Sequence, residues 1–143
     1  MPDFSEYLVR GKRGHLIGIG GVSMSPLAEV LSDAGLIISG SDIAESERTS
    51  HLREKGIVIG HDAANITSDI DFVVRTAAAH DENPEIVRAH EMGIPVFERT
   101  QAWGAIMKGY KNALCIAGTH GKTTTTSMCT HILMAAERDP TVM

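Results

Sequence analysis

Aromatic side chains are scarce in this sequence, which has three Phe, two Tyr and one Trp among 143 residues. That length suits one domain of ordinary size, or one domain and part of another. The core must therefore be built mainly from Ile, Leu, Val, Ala and Met, and the hydrophobic fraction of 43% is large enough for one. Few aromatics together with 14 glycines favour an α/β protein over a β-sandwich.

Cysteine is rare as well, since Cys115 and Cys129 are the only two in the sequence. Two cysteines are too few for a disulfide framework. They fall in a predicted strand and a predicted helix. We therefore expect free, buried thiols in the reducing cytoplasm.

Long apolar runs and an excess of positive charge are both missing. No stretch approaches the roughly 20 apolar residues of a membrane-spanning helix, and residues 1–13 are polar and charged, unlike a secretory signal. We therefore expect a cytoplasmic protein without a membrane partner. The net charge of −5 argues against nucleic-acid binding through a basic face. It still permits an anionic ligand held by backbone N–H groups at a helix start.

Short apolar runs alternate with amphipathic segments along the whole chain. This alternation predicts an α/β fold, a Rossmann-like parallel sheet with flanking helices and right-handed crossovers. The polar run at residues 109–112 is the best position for a domain boundary. The predicted strands cover residues 15–20, 36–39, 57–59, 72–75, 94–97 and 113–117, and the predicted helices cover residues 24–34, 46–55, 84–92 and 100–108, with a last helix ending near residue 136.

The first motif is a glycine loop, Gly18–Ser23 (GIGGVS), between the first predicted strand and helix. Glycines there permit a tight turn and let the backbone approach a diphosphate, whose charge meets the N–H groups of the helix start. A strict G-x-G-x-x-G pattern would have glycine where Ser23 stands, and the Ser23 hydroxyl could donate to a phosphate. Ser25 could cap the helix. The alternative is that the glycines only permit a tight turn.

Asp42 ends the second predicted strand, about 20 residues after the glycine loop. In dinucleotide-binding folds a carboxylate at this place binds ribose hydroxyls. The alternative for Asp42 is an aspartate in a solvent-exposed turn.

The second motif, Gly118–Thr124 (GTHGKTT), follows a predicted strand and opens a helix, as a P-loop does. Backbone N–H groups would surround the β- and γ-phosphates of a nucleotide, Lys122 would neutralise γ-phosphate charge, and Thr123 would hold Mg²⁺. P-loop spacing asks for glycine at position 116, where this chain has Ile116. Four consecutive threonines are poor helix starters, so a purely structural role explains the motif badly. The two loops together predict two nucleotides.

Five strings around these motifs resemble one enzyme family. They are similar to the Mur ligases of peptidoglycan biosynthesis, in particular to the branch that joins L-alanine to UDP-N-acetylmuramate. The resemblance runs from about His15 to the helix after Thr126. The related ligase that recycles murein tripeptide shares the architecture, and we expect a different first loop there. The strings are HLIGIGGVSMSPLAEVL (His15–Leu31), SGSD (Ser39–Asp42), NPEI (Asn83–Ile86), GIPVFER (Gly93–Arg99) and AGTHGKTTTT (Ala117–Thr126).

The resemblance implies an enzyme of three domains. They would bind the UDP group, ATP with Mg²⁺, and L-alanine, in that order along the chain. ATP would phosphorylate the muramate carboxylate, and the amine of L-alanine would attack the acyl phosphate. Residues 1–109 match the UDP-sugar-binding Rossmann-like domain, and residues 110–143 match the first strand, P-loop and helix of a truncated central ATP-binding domain. We expect this piece to bind the UDP-sugar and to be inactive alone, since the other Mg²⁺ ligands and the amino-acid domain would lie beyond Met143.

The resemblance also implies site residues. Lys122 and Thr123 match the catalytic positions, and Thr123 matches the Mg²⁺ ligand. His61 is the least distinctive assignment, because a histidine after a strand is commonly a polar turn residue. The UDP-sugar positions are Gly18, Gly20, Gly21, Ser23, Met24, Asp42, His61 and Thr76, and the ATP positions are Gly118, Thr119, His120, Gly121, Lys122, Thr123 and Thr124.

Two other functions stay open. An NAD(P)-binding Rossmann oxidoreductase or regulatory domain would use the first loop and Asp42, but it has no use for a lysine at a γ-phosphate. A regulatory or interaction module built on the P-loop would leave the first domain as a scaffold, which the SGSD and NPEI strings disfavour. The sequence shows no serine elbow and no Cys–His pair at metal-binding spacing.

Overall fold

The computed structural model describes residues 2–60 and 63–142 of the chain, which forms two compact units, Met1–Gly109 and Tyr110–Met143. The first unit contains a sheet of five parallel strands, in the order β3-β2-β1-β4-β5. The order reverses between β1 and β4, as in doubly wound α/β proteins. The predicted fold class of the first unit is thereby confirmed. The strands are β1 Arg13–Ile17, β2 Ile37–Ser41, β3 Val58–Gly60, β4 Phe72–Arg75 and β5 Val96–Glu98.

Four α-helices connect or follow these strands. Each predicted strand and helix of the first 109 residues is present, with bounds displaced by no more than three residues. Within residues 2–60 and 63–142, no helix has the length and apolarity needed to cross a membrane. The helices are α1 Ser25–Asp33, α2 Glu47–Glu54, α3 Pro84–Glu91 and α4 Arg99–Lys108, and short 3-10 helices cover Phe4–Tyr7 and Ala63–Asn65.

Alternating strand residues divide the interior of the first unit into two cores, one on each face of the sheet. On one face Leu16, Phe72 and Val74 pack with residues of α1, α2 and α4 in the larger core. On the other face Ile17 and Val73 pack with α3 in the smaller core. The sheet is therefore covered on both faces, which explains why its strands are short apolar runs.

The N-terminal 3-10 helix contributes to the larger core, although residues 1–13 had no core role in the sequence-based prediction. Phe4 is only 2% exposed. Its ring contacts Phe72 and Phe97 edge to face, with centroids 5.1 Å away in each case. A single aromatic residue in a polar segment has no periodicity, so the sequence pattern could not identify it.

In its described residues the second unit contains one helix, α5 Lys122–Ala135, and no strand. The prediction of a strand at residues 113–117 is therefore wrong, and so is the prediction that Cys115 is buried. Leu114 is 70% exposed, Cys115 is also exposed, and Cys129 is half-buried. A strand needs a neighbour to pair its N–H and C=O groups, and the described part of this unit offers none.

Candidate functional site

A cleft of about 710 Å³ lies at the carboxyl ends of β1, β2 and β4, where the strand order reverses. Parallel α/β sheets bind ligands at this switch point, and the volume is typical of a small-molecule site. Polar side chains line part of the cleft and small apolar residues line the rest. The lining residues are Ile17, Gly18, Gly20, Gly21, Ser41, Asp42, Ile43, Ala44, Ser46, Ala63, Thr76, Ala78, Ala79, Asn83, Pro84 and Glu85.

The first glycine loop is held against the ends of two strands. Gly18 has a φ of +77°, and a Cβ atom there would lie 2.6 Å from Thr76 Cγ2. The N–H groups of Gly18 and Ile19 donate to the Ser41 carbonyl at 2.8 and 2.9 Å. Only glycine combines this left-handed backbone with such a close approach. The loop backbone therefore lies at the wall of the cleft.

The loop leaves N–H groups available at the start of α1. The Gly21 carbonyl accepts from the N–H groups of Met24 and Ser25 at 3.1 and 2.9 Å. Among the described residues, none accepts a hydrogen bond from the N–H groups of Val22 or Ser23. These two donors, together with the positive end of α1, suit an anion.

The expectation that the Ser25 side chain caps α1 is wrong. Ser25 is the first residue of the helix and is 4% exposed, Met24 occupies the cap position, and no side-chain cap bond forms. The Gly21 carbonyl instead accepts hydrogen bonds from the N–H groups of Met24 and Ser25 at the start of the helix. The chain therefore enters α1 through backbone contacts of the glycine loop.

Asp42 joins the end of β2 to the glycine loop. Its Oδ2 accepts from the Gly20 N–H at 2.8 Å, and its Oδ1 accepts from the Ala44 N–H at 3.3 Å. The side chain is half-buried and faces the cleft. The structure therefore brings Asp42 together with Gly18, Gly20, Gly21 and Thr76 at one cleft.

The other residues assigned to the UDP-sugar site have different positions. Ser23 does not line the cleft, and its Oγ accepts from Arg99 Nη1 at 2.6 Å. The Met24 side chain is fully buried in the larger core, so only its backbone belongs to the loop. His61 lies outside the described residues.

A buried polar network at the cleft escaped the sequence-based assignment. Glu85 is 6% exposed, and its Oε1 lies 2.9 Å from Nε2 of the fully buried His15. Ser41 Oγ donates to Glu85 Oε2 at 2.5 Å, and His15 Nδ1 lies 3.0 Å from Ser39 Oγ. The SGSD and NPEI strings contain these residues, but nothing in their spacing pairs them. The network connects β1 and β2 to the start of α3.

Two ion pairs hold the turn after β4. Arg75 Nε donates to Glu98 Oε1 at 2.7 Å, and Arg75 Nη1 pairs with Asp81. The hydrogen bond to Glu98 raises the pKa of Arg75 above its ordinary value, and the hydrogen bond to Asp81 adds a smaller contribution in the same direction. The pairs connect the segment that follows Thr76 to the end of β5.

In the second unit, the predicted ATP residues form an exposed loop over residues 118–121 and the exposed first turn of α5. Gly121 precedes the helix with a φ of +76°, and α5 has no side-chain cap. Lys122 Nζ donates to the Gly118 carbonyl at 2.7 Å. Thr123 is exposed, and the described residues contain no group of three His, Cys, Asp or Glu side chains placed to hold a metal ion.

Comparisons with known proteins match most of this chain to one family. Residues 13–111 match the Mur ligase family, catalytic domain. A UDP-N-acetylmuramate–L-alanine ligase from Clostridium novyi is 52% identical over 134 residues, which are 92% of this chain and 29% of that protein.

Solved structures give the same result. A UDP-N-acetylmuramate–alanine ligase from Thermotoga maritima has a TM-score of 0.81 and 41% identity, covering 87% of this chain and 30% of that one. A murein peptide ligase from Psychrobacter arcticus has a TM-score of 0.82 and 28% identity, covering 89% of this chain and 27% of that one. This chain thus spans less than a third of the length of these relatives. Because the family match includes the whole sheet and the first glycine loop, the chain belongs to the Mur ligase family.

Proposed function

We propose that the first unit binds UDP-N-acetylmuramate and that the chain acts within an enzyme that ligates L-alanine to this sugar nucleotide with ATP. One observation carries the proposal. The glycine loop and Asp42 meet at the wall of the cleft, where Gly20 N–H donates to Asp42 Oδ2 at 2.8 Å. In folds of this type a glycine loop binds a diphosphate and a carboxylate at the end of the second strand binds ribose hydroxyls. A sugar nucleotide carries both groups.

Each part of the ligand has a matching group, either in the lining of the cleft or in the glycine loop beside it. The N–H groups of Val22 and Ser23 would donate to the diphosphate, whose charge the positive end of α1 favours. The Asp42 carboxylate would accept from ribose hydroxyls. Ile43 and Ala78 belong to the apolar part of the lining, which suits the face of a base.

The relatives support L-alanine as the second substrate. Identity is 52% and 41% to two proteins named for ligation of alanine, against 28% to the murein peptide ligase. Discrimination between an amino acid and a peptide would require groups outside the cleft described above. The choice of L-alanine therefore rests on similarity, and the UDP-sugar site rests on geometry.

The loop Gly118–Thr124 has features that suit the ATP phosphates. The left-handed Gly121 and the uncapped start of α5 present N–H groups, and Lys122 supplies a positive charge beside them. Thr123 would offer one hydroxyl oxygen to Mg²⁺. When bound, ATP would supply the phosphoryl group that turns the muramate carboxylate into an acyl phosphate for attack by L-alanine. Since this loop is exposed to solvent, we expect the chain alone to bind the sugar nucleotide without ligating it.

Calorimetric titration of this chain with UDP-N-acetylmuramate, NAD and Mg·ATP in parallel tests the proposal. We expect saturable binding of the UDP-sugar and no binding of NAD. Binding of NAD without binding of the UDP-sugar would contradict the proposal and favour a dehydrogenase-type function.

The second loop is tested separately with Lys122→Ala. We expect this variant to weaken Mg·ATP binding and to leave UDP-N-acetylmuramate binding unchanged, because every residue that lines the proposed UDP-sugar cleft belongs to the first unit. Lys111→Ala, which also removes an exposed lysine from that unit, is the matched control and should change neither. Equal Mg·ATP binding by wild type and Lys122→Ala would show that Lys122 does not bind ATP.

A further inference from the structure

Arg99, the first residue of α4, contacts the first glycine loop from a distant part of the chain. Its Nη1 donates to Ser23 Oγ at 2.6 Å, across 76 residues of sequence. Trp103, one turn further along α4, donates from Nε1 to the Ser23 carbonyl at 3.2 Å. The start of α4 therefore contacts the residue that carries one of the two available N–H groups.

Among the described residues, the guanidinium of Arg99 forms no ion pair. Arg75, at the end of β4, is engaged by Glu98 and Asp81. By contrast, no carboxylate of residues 2–60 or 63–142 lies within ion-pairing distance of Arg99. A guanidinium has five N–H donors, and Ser23 Oγ occupies one of them.

Helix stabilisation does not explain this arginine. A cation at the first position of a helix faces the positive end of the helix dipole, where acidic side chains are favoured. The start of α1 has no acidic residue in its cap position or first turn, whereas Glu98 occupies the cap position of α4. Ser23 therefore lies between the positive end of α1 and a guanidinium that has no ion-pair partner among the described residues, an arrangement that attracts an anion.

We propose that Arg99 is a binding residue for the diphosphate of the sugar nucleotide. Its remaining N–H groups donate to phosphate oxygens, while the bond to Ser23 Oγ holds the guanidinium beside the loop. This inference rests on the proposed function, because it assumes that the glycine loop receives a diphosphate. It adds a cationic side chain to a site otherwise built from backbone donors.

The test measures the affinity of wild type and four variants for UDP and for UDP-N-acetylmuramate. We expect Arg99→Gln to weaken both ligands by the same factor, about ten- to a hundredfold. Arg99→Lys keeps the charge but loses the planar fork, so its loss should be smaller. Ser23→Ala removes the tether alone and should lose less than Arg99→Gln. Arg88→Gln, on the exposed face of α3, is the matched control and should change neither affinity.

The salt dependence of UDP binding supplies a second measurement. Wild-type affinity should fall more steeply with ionic strength than that of Arg99→Gln, since one cation fewer meets the phosphates. A variant that merely disturbs the loop would keep the wild-type slope. Thermal unfolding of each variant confirms that it is folded in the titration.

Three results would overturn the assignment of Arg99. Equal losses in Arg99→Gln and Ser23→Ala would show that Arg99 acts only by holding the loop. A loss for UDP-N-acetylmuramate without a loss for UDP would assign the guanidinium to the muramate carboxylate. Unchanged binding of both by Arg99→Gln would exclude any role. If wild type itself binds neither ligand, the proposed function fails first, and this inference fails with it.

Discussion

His15 Nε2 lies 2.9 Å from Glu85 Oε1, with side chains 0% and 8% exposed. Burial of such groups is costly unless each polar atom finds a partner. Here Ser39 Oγ lies by the second ring nitrogen of His15, and Ser41 donates to the second oxygen of Glu85. Because these partners lie on β1, β2 and the start of α3, the network sets the position of α3 at the wall of the cleft.

Removal of one partner should destabilise the first unit strongly. Glu85→Ala leaves His15 buried without its acceptor, so we expect a loss of about 2–4 kcal/mol in the free energy of unfolding. Urea unfolding followed by the fluorescence of Trp103, the only tryptophan, measures this loss. Glu91→Ala is the control on the same helix, because its exposed pair with Arg88 should contribute less than about 0.5 kcal/mol. Similar losses for the two variants would contradict a structural role of the network.

The N-terminal aromatic residue should matter as much as a central core residue. Phe4→Ala removes a ring that contacts Phe72 and Phe97, so we expect a loss of about 3 kcal/mol in unfolding free energy. The same urea titration measures it. Val9→Ala, at a position 51% exposed in the same segment, should cost far less. A negligible effect of Phe4→Ala would mean that the segment does not pack on the core in solution.

Asp42 should contribute to ligand binding both directly and through the loop. Asp42→Ala removes the proposed ribose acceptor and the bond to Gly20 N–H, so we expect UDP-N-acetylmuramate to bind about ten- to a hundredfold more weakly. Calorimetry measures the change. Asp33→Ala, at the exposed end of α1, is the matched control. Equal affinity of wild type and Asp42→Ala for UDP-N-acetylmuramate would contradict the assignment of this carboxylate to the binding site.

Asp71 makes the stability of the first unit depend on pH. Its Oδ2 accepts from the Arg13 N–H at 2.8 Å, and its Oδ1 accepts from Lys12 Nζ at 2.6 Å. The backbone bond from Arg13 and then the bond from Lys12 lower the pKa of Asp71 below its ordinary value of 3.8. A carboxyl with a lowered pKa in the folded state stabilises that state above its unfolded pKa. This contribution is lost as the pH falls through the folded pKa.

We therefore expect wild type to be more stable than Asp71→Asn at pH 6, with a difference that shrinks below about pH 4. Urea unfolding of both proteins from pH 6 down to the acid limit of folding measures the difference. Asp33→Asn, at an exposed position, is the control for the loss of a carboxylate. A stability difference that stays constant with pH would contradict the assigned contacts of Asp71.

Predictions from local sequence patterns were accurate where a structural feature depends only on residues that are neighbours along the chain. Pro84 begins α3 as expected, and Asn83 Oδ1 caps that helix by accepting from the Glu85 N–H. The prediction of a strand at residues 113–117 is wrong because an apolar run becomes a strand only beside another strand. The Ser25 side chain does not cap α1 because Ser25 is itself the first helical residue, and Met24 occupies the cap position.

The sequence by itself determined the alternation of strands and helices, the place of both glycine loops and the resemblance to the Mur ligases. These features depend on neighbours along the chain, where side-chain periodicity and turn chemistry act. Only the tertiary structure decided that Phe4 belongs to the core, that His15 meets Glu85, and that Arg99 meets Ser23. Such contacts join residues about 70 positions apart. They follow from strand order and from the face of the sheet on which each helix packs, which no local pattern specifies.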